Sequence, residues 1–123
     1  MRSYSTFQEL RVWQQAMDLA EEIYRTTTDF PKHELYGLVS QMRRAAVSVP
    51  SNIAEGKGRH SNPDFIRFLL LSRGSLLELH TQILIGGRLQ YLTDEQSTEL
   101  ARRCENIGRG LNALINRFRS VAA

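Results

Sequence analysis

Arg73 and His80 are the residues of this chain whose types best match chemistry on a phosphate. They stand seven positions apart, about two turns of a helix, so they share one face. Histidine titrates near neutral pH and works as an acid or base, while an arginine offsets charge on phosphoryl oxygens. The same pair also suits a plainer task, cross-linking a subunit interface with Glu78 or another acid. Other chemistries find no footing. His33, His60 and His80 are dispersed, and one cysteine, Cys104, cannot complete a zinc knuckle. The stretch "EGKGRHS" follows a helical pattern and lacks the spacing of a phosphate-binding loop. Ser-His-Asp chemistry has no support from scattered residues. We therefore expect no catalytic residue, no metal and no cofactor.

Binding is better represented than catalysis. The chain has 123 residues and a net charge of +3, and of its 16 cationic residues 14 are arginine. Arginine favours planar, two-pronged contacts to phosphate or carboxylate. Genomic codon bias gives the same count without any ligand. Arg43, Arg44, Lys57 and Arg59 cluster on one helical segment and its following loop, and they are the candidate nucleic-acid contacts. Gln41, Arg44, Ser48, Asn52, Glu55 and Arg59 fall on one polar arc of that segment. Short polar groups beside Ala45, Ala46 and Ala54 suit close helix contact, and the exposed alternative is a ligand surface.

Four helical segments must carry these residues. Residues 7 to about 28 hold Trp13, Ala16, Met17, Ala20, Ile23 and Tyr24 at helical spacing. After "DFPKHE", residues 33 to 58 give Leu35, Leu38, Met42, Ala45, Val49 and Ile53 as one stripe. That stripe stays in phase across Pro50, which predicts a bent but continuous helix, with Ser48 and Ser51 serving loosened backbone groups. Asn62 is the expected N-cap of the third helix, with Pro63 at its first position, and the helix is expected to run to about Tyr91. Thr93 and Gln96 form a capping box for the fourth. Its seam is Leu100, Cys104, Ile107, Leu111, Leu114, Phe118 and Val121. No segment alternates with period two. The expected fold is all-α: an antiparallel up-down four-helix bundle, one domain over 1–123 with its core at about 7–118.

Helix three carries more apolar surface than one bundle uses. Phe65, Phe68, Leu69, Leu76, Leu79 and Ile83 form one stripe. Ile66, Leu70, Leu77 and Leu84 form a second, roughly 100° away on the helical wheel. A bundle of one chain leaves part of the second stripe wet, which marks a protein interface. Ile66, Leu70, Leu77, Leu84, Pro50 and Asn52 are the expected oligomer contacts, with a second copy of the chain as partner. "FLLLS" is too short to span a bilayer, a lone cysteine fits a reducing compartment, and no N-terminal segment reads as a signal peptide. We expect a cytoplasmic protein with no membrane partner.

The stretches "VWQQAMDLAEEIYRTT", "FPKHELYGLVSQMRRAAVSVPSNIAEGKGR" and "DFIRFLLLSRGSLLELHTQILIGGRLQYL" resemble a known family. It comprises four-helix bundle proteins encoded in intervening sequences of bacterial large-subunit ribosomal RNA genes. The family is similar to the accessory protein of diversity-generating retroelements. The resemblance covers about residues 7 to 118. It matches Ser40, Gln41, Arg43, Arg44, Ala45, Ala46, Ser48, Pro50, Asn52, Ala54, Glu55 and Gly56 to the family motif, with Val49 where isoleucine is commoner. It implies a barrel of five bundles. From the accessory relatives it implies a basic surface for RNA or DNA and a protein partner such as a reverse transcriptase. The resulting expectation is a non-enzymatic, pentameric helical scaffold that binds nucleic acid. Two alternatives stand beside it. Arg73 and His80 also resemble the loose Arg–His motif of HEPN-class helical ribonucleases, and a scaffold that recruits only a protein needs no nucleic acid.

Overall fold

The computed structural model describes residues 6–122, and the side chains of 6–120. A short 3-10 turn, Phe7–Glu9, leads into α1 (Arg11–Thr27). The helices α2 (Ser40–Lys57), α3 (Asn62–Arg88) and α4 (Asp94–Ala122) follow, and there is no strand among the described residues. Each helix packs on the next, and α4 returns to α1, which closes the up-down bundle. The expected all-α four-helix bundle is the observed fold.

The core is built where the helical spacing puts it. Leu19, Ile23, Met42, Ile53, Leu69, Leu79, Ile83, Ile107 and Leu111 are almost wholly enclosed. The first stripe of α3 lies inside, from Phe65 to Ile83. The seam of α4 is buried at Leu100, Cys104, Ile107 and Leu111, and half-buried at Leu114 and Phe118. Ile115 joins it, while the Val121 side chain lies outside the described residues. Burial, and then the nearby Glu105 charge, pushes the Cys104 thiol up to about 12, so it stays protonated and unreactive.

Helix boundaries follow local chemistry. Ser61, not Asn62, caps α3: its hydroxyl accepts from the Asp64 N–H at 3.2 Å, which puts Asn62 and Pro63 inside the first turn. The helix ends at Arg88, three residues before Tyr91, because Gln90 adopts a left-handed φ of 63°. The Tyr91 N–H then reaches back to the Gly86 carbonyl at 3.0 Å, and Gln90 N–H to Gly87 at 3.0 Å, the paired bonds of a Schellman ending. The capping box of α4 is reciprocal. The Thr93 N–H donates to Gln96 Oε1 at 2.9 Å, and the Gln96 N–H to Thr93 Oγ1 at 3.0 Å.

The second segment departs most from expectation. It is not one helix from 33 to 58. Lys32–Glu34 is a 3-10 turn and Leu35–Val39 a wide π-type turn, with Gly37 at φ −111° and ψ −112°. Glu34 sets this turn by accepting the Leu38 N–H at 3.1 Å. A Cβ on residue 37 would lie 2.8 Å from Glu34 Oε1, so glycine leaves room for that carboxylate. The change of phase turns Leu35 out to 46% exposure, away from the Leu38, Met42 and Ala45 side of α2. By contrast, α2 runs through Pro50 as a continuous helix. Pro50 has no N–H for the carbonyl one turn earlier, and α3 braces the site. Ser72 Oγ donates to the Val49 carbonyl at 2.9 Å, and Ser48 and Ser75 hydroxyls meet at 2.8 Å. Neither expected serine serves a backbone group: the Ser48 hydroxyl meets the Ser75 and Asn52 side chains, and Ser51 is exposed beside a surface groove.

Candidate nucleic-acid interface

The four expected cations do not form one patch. Arg43 belongs to the fold. Its Nε donates to Thr27 Oγ1 at 3.0 Å, a terminal nitrogen reaches the Tyr24 carbonyl at 3.3 Å, and the guanidinium lies 4.7 Å above the Tyr24 ring. It therefore ties α2 to the last turn of α1. Arg44 is exposed beside it. Lys57 lies about 20 Å farther along α2, at 1.5 Å per residue. Only Lys57 and Arg59 share a site.

That site is one end of the bundle. Antiparallel order brings together the end of α2, the start of α3 and the end of α4 there. Phe65 of α3 and Phe118 of α4 meet edge to face at 5.0 Å. Cations sit over the rings of this end: Arg59 at 4.7 Å and Arg67 at 4.4 Å from the Phe68 centroid, Lys57 at 5.9 Å from Phe65, and Arg117 at 5.7 Å from Phe118. Each such contact is worth about 0.5–1 kcal/mol at an exposed position. Its greater effect is to restrict where the charged groups can move. Glu55 pairs with Arg59 at 2.9 Å and Asp64 with Arg67 at 3.2 Å, which offsets part of the charge. Among the described residues Lys57 and Arg117 have no carboxylate within ion-pair distance. The C-termini of α2 and α4 and the N-termini of α1 and α3 meet at this end, so the helix dipoles largely offset one another.

Sequence reasoning missed Arg67 and Arg117. The signal was present in the strings "FIRF" and "NRFR", which place arginine beside phenylalanine at the ends of antiparallel helices. The opposite end of the bundle is more mixed in charge, with Asp29, Glu34, Asp94 and Glu95 beside Lys32 and Arg88 around its two connections. There the Tyr91 hydroxyl donates to Glu34 at 3.0 Å. The Leu38 N–H, and then Tyr91, hold the Glu34 carboxyl below its usual range.

Arg73 and His80 remain two turns apart. Arg73 donates to Asn112 Oδ1 of α4 at 2.9 Å, a link between helices. No set of His, Cys, Asp and Glu able to hold a metal occurs among the described residues.

The expected oligomer contacts divide. Ile66 is buried in the chain's own core and Leu70 half-buried against it. Pro50 is buried on the floor side of a groove between α1 and α2. Asn52 is half-buried and donates to the Ser48 carbonyl at 2.9 Å and its hydroxyl at 3.0 Å. Leu77 and Leu84 stand 60% and 48% exposed. Helix α1 also shows apolar surface outward, at Met17 (44%) and Tyr24 (45%).

The family model for 23S rRNA-intervening sequence proteins matches residues 8–113. The chain belongs to that family. A solved structure from Bacteroides thetaiotaomicron, a protein of unknown function from the S23 ribosomal protein family, has the same fold. It is 22% identical, covers 85% of this chain and 97% of its own, and superposes with a TM-score of 0.77. No curated protein matches the chain. In this member of the intervening-sequence family, the stretch from Ser40 to Gly56 is chiefly a packing surface. Ala45 and Ala46 are buried, Ser48 and Asn52 hydrogen-bond at the α2/α3 contact, and Gly56 lets α2 approach Phe65 and Phe68. No helix among the described residues is long and apolar enough to cross a membrane.

Proposed function

We propose that this protein is a non-enzymatic, homo-oligomeric helical scaffold, built of five chains, that holds RNA or DNA at the basic end of each bundle. The observation that carries the reading is the convergence of Lys57, Arg59, Arg67 and Arg117, from three helices and the α2–α3 connection, onto one phenylalanine-braced end. Phosphate contacts carry little base information, so binding is sequence-tolerant. Repetition in an oligomer lets several weak sites act together. Exposed Leu77 and Leu84 support the assembly, since contiguous apolar surface of this kind is normally covered. The pentamer number rests on the family resemblance. The ribonuclease alternative has no specific observation in its favour: Arg73 donates to Asn112, and no hydrogen bond among the described residues links it to His80.

Light scattering and fluorescence anisotropy test the two halves. The expected mass is that of five chains at micromolar concentration. Labelled single-stranded RNA and duplex DNA are both expected to bind, with affinity falling at least about tenfold between about 50 and about 200 mM salt through counterion release. A monomer removes the scaffold; absence of binding at low salt removes the nucleic acid and leaves a scaffold for a protein partner.

A further inference from the structure

A row of polar and small residues leaves the basic end along the seam between α1 and α4. Arg103, Asn106, Gly110, Ala113 and Arg117 recur at three- and four-residue steps, so they share one face of α4. Arg11, Gln15, Asp18 and Glu22 repeat that spacing on α1. Three cavities lie where the two rows face each other. One of ≈ 430 Å³ reaches from Arg11 and Arg117 to Gln15 and Asn106. The next, of ≈ 300 Å³, shares Gln15 and Asn106 and continues to Asp18, Arg102 and Arg103. The third, of ≈ 250 Å³, shares Arg103 and ends among Glu22, Glu95 and Glu99. Together they form one groove, cationic where it opens at Arg117 and acidic where it ends. A Cβ on residue 110 would lie 2.6 Å from Val12 Cγ1, so glycine lets the two helices approach beneath the groove.

We infer that this groove is the path of a single nucleic-acid strand leaving the basic end. This rests on the nucleic-acid reading above and narrows its substrate class to single strands. The two walls differ in chemistry. Arg102, Arg103 and Arg117 belong to α4, whereas Glu9 and Asp18 lie on the α1 side, with Arg11 at the mouth. Glu99 offsets part of the α4 charge, at 2.7 Å from Arg102 and 3.2 Å from Arg103. It engages Arg103 through Nε, which leaves both terminal nitrogens of that guanidinium to donate. Arg11 has no carboxylate within ion-pair distance among the described residues. Phosphates therefore belong against the α4 wall. Base edges then face Gln15, whose amide both donates and accepts, and Asp18, which accepts from base amino groups.

Dimensions select the single strand. Packed helices stand about 8–10 Å apart, so a groove between two of them is one strand wide. A duplex, whose major groove alone is about 12 Å across, rests on the rim and reaches only the basic end. From Arg117 to Arg103 is about 21 Å at the helical rise, the length of about six nucleotides at about 3.4 Å each. Beyond Arg103, Glu22, Glu95 and Glu99 repel phosphate and stop the path.

Photo-cross-linking and fluorescence anisotropy on the full chain test this path. Single-stranded RNA carrying 4-thiouridine is expected to cross-link at low salt within residues 9–18 and 102–117. Arg11→Glu with Arg103→Glu is expected to keep helical circular dichroism and to weaken single-stranded RNA at least about tenfold. Its salt slope is expected to fall by about 1.4, two phosphate contacts at about 0.7 each. Duplex DNA binding is expected to change by less than about threefold. Cross-links confined to residues 57–68, or undiminished RNA binding by the double variant, overturn the path and leave the basic-end reading intact. Equal losses of RNA and duplex binding overturn the assignment to single strands. A wild-type protein that binds neither at low salt overturns that reading and the path with it.

Discussion

Gly56 shows how one missing side chain can govern a helix contact. A Cβ at this position would lie 2.6 Å from Phe68 Cβ and 3.0 Å from Phe65 Cδ1, and both phenylalanines are held by the rest of the core. Gly56→Ala gains helix propensity but must push α2 and α3 apart. The expected net loss is about 1–3 kcal/mol, the usual cost of overpacking, read as a lower midpoint in chemical denaturation. An unchanged midpoint would mean the two helices yield easily. Glu34 supplies a pH-dependent counterpart at the other end. Its lowered pKa, due first to the Leu38 N–H and then to Tyr91, stabilises the fold above the carboxyl's ordinary value of 4.5. That contribution is lost as pH falls through the lowered folded value. Glu34→Gln is therefore expected to lower Tm at pH 7 and to narrow the difference from wild type in strong acid. A constant difference across pH would place the effect in packing rather than charge. In the sequence Gly56 stands out only as a match to the family motif, because the neighbours that forbid a Cβ come from another helix.

At the scale of the element, the periodicity of apolar residues placed the helices but misread one face. In α1 the expected stripe included Met17 and Tyr24, which are 44% and 45% exposed, and left out Val12 and Leu19, which are buried. Periodicity located α4 almost residue by residue, and the Thr93–Gln96 box was legible because both its partners lie within one turn. It was insufficient at Gly37, where Leu35 and Leu38 keep helical spacing in sequence although the backbone between them is not helical. It also overextended α3, since nothing in the string "GRLQYL" signals that Gln90 will turn left-handed. A non-glycine residue in that region costs roughly 1–2 kcal/mol. Gln90→Gly keeps both backbone bonds of the helix ending and relieves the side chain. We expect Tm to rise by a few degrees, about 0.5–1 kcal/mol after the entropy of the freer unfolded chain is set against it. No rise, or a fall, would show that the Gln90 side chain contributes a contact of its own. Pro50 gave the opposite lesson: an unbroken apolar phase outweighed the residue most averse to helices, and α2 is continuous there.

Over the whole molecule, the antiparallel order of the helices converts a modest net charge into a directional one. The candidate site was half legible. Lys57 and Arg59 are two positions apart in sequence, so clustering found them. Arg67 and Arg117 join them only through the fold, and Arg43 leaves the set because Thr27 and Tyr24 engage it from α1. The central claim is thus one of position, that nucleic acid binds the end where α2, α3 and α4 meet. The most direct measurement is fluorescence anisotropy with labelled single-stranded RNA at low salt, comparing reversals at the two ends of α2. Lys57→Glu with Arg117→Glu is expected to weaken binding by at least about tenfold, as loss of two phosphate contacts requires, with the oligomer intact. Arg44→Glu, about 20 Å away along the helix, is expected to change it by less than about threefold. Equal losses from the two reversals, or undiminished binding by Lys57→Glu with Arg117→Glu, would contradict the account.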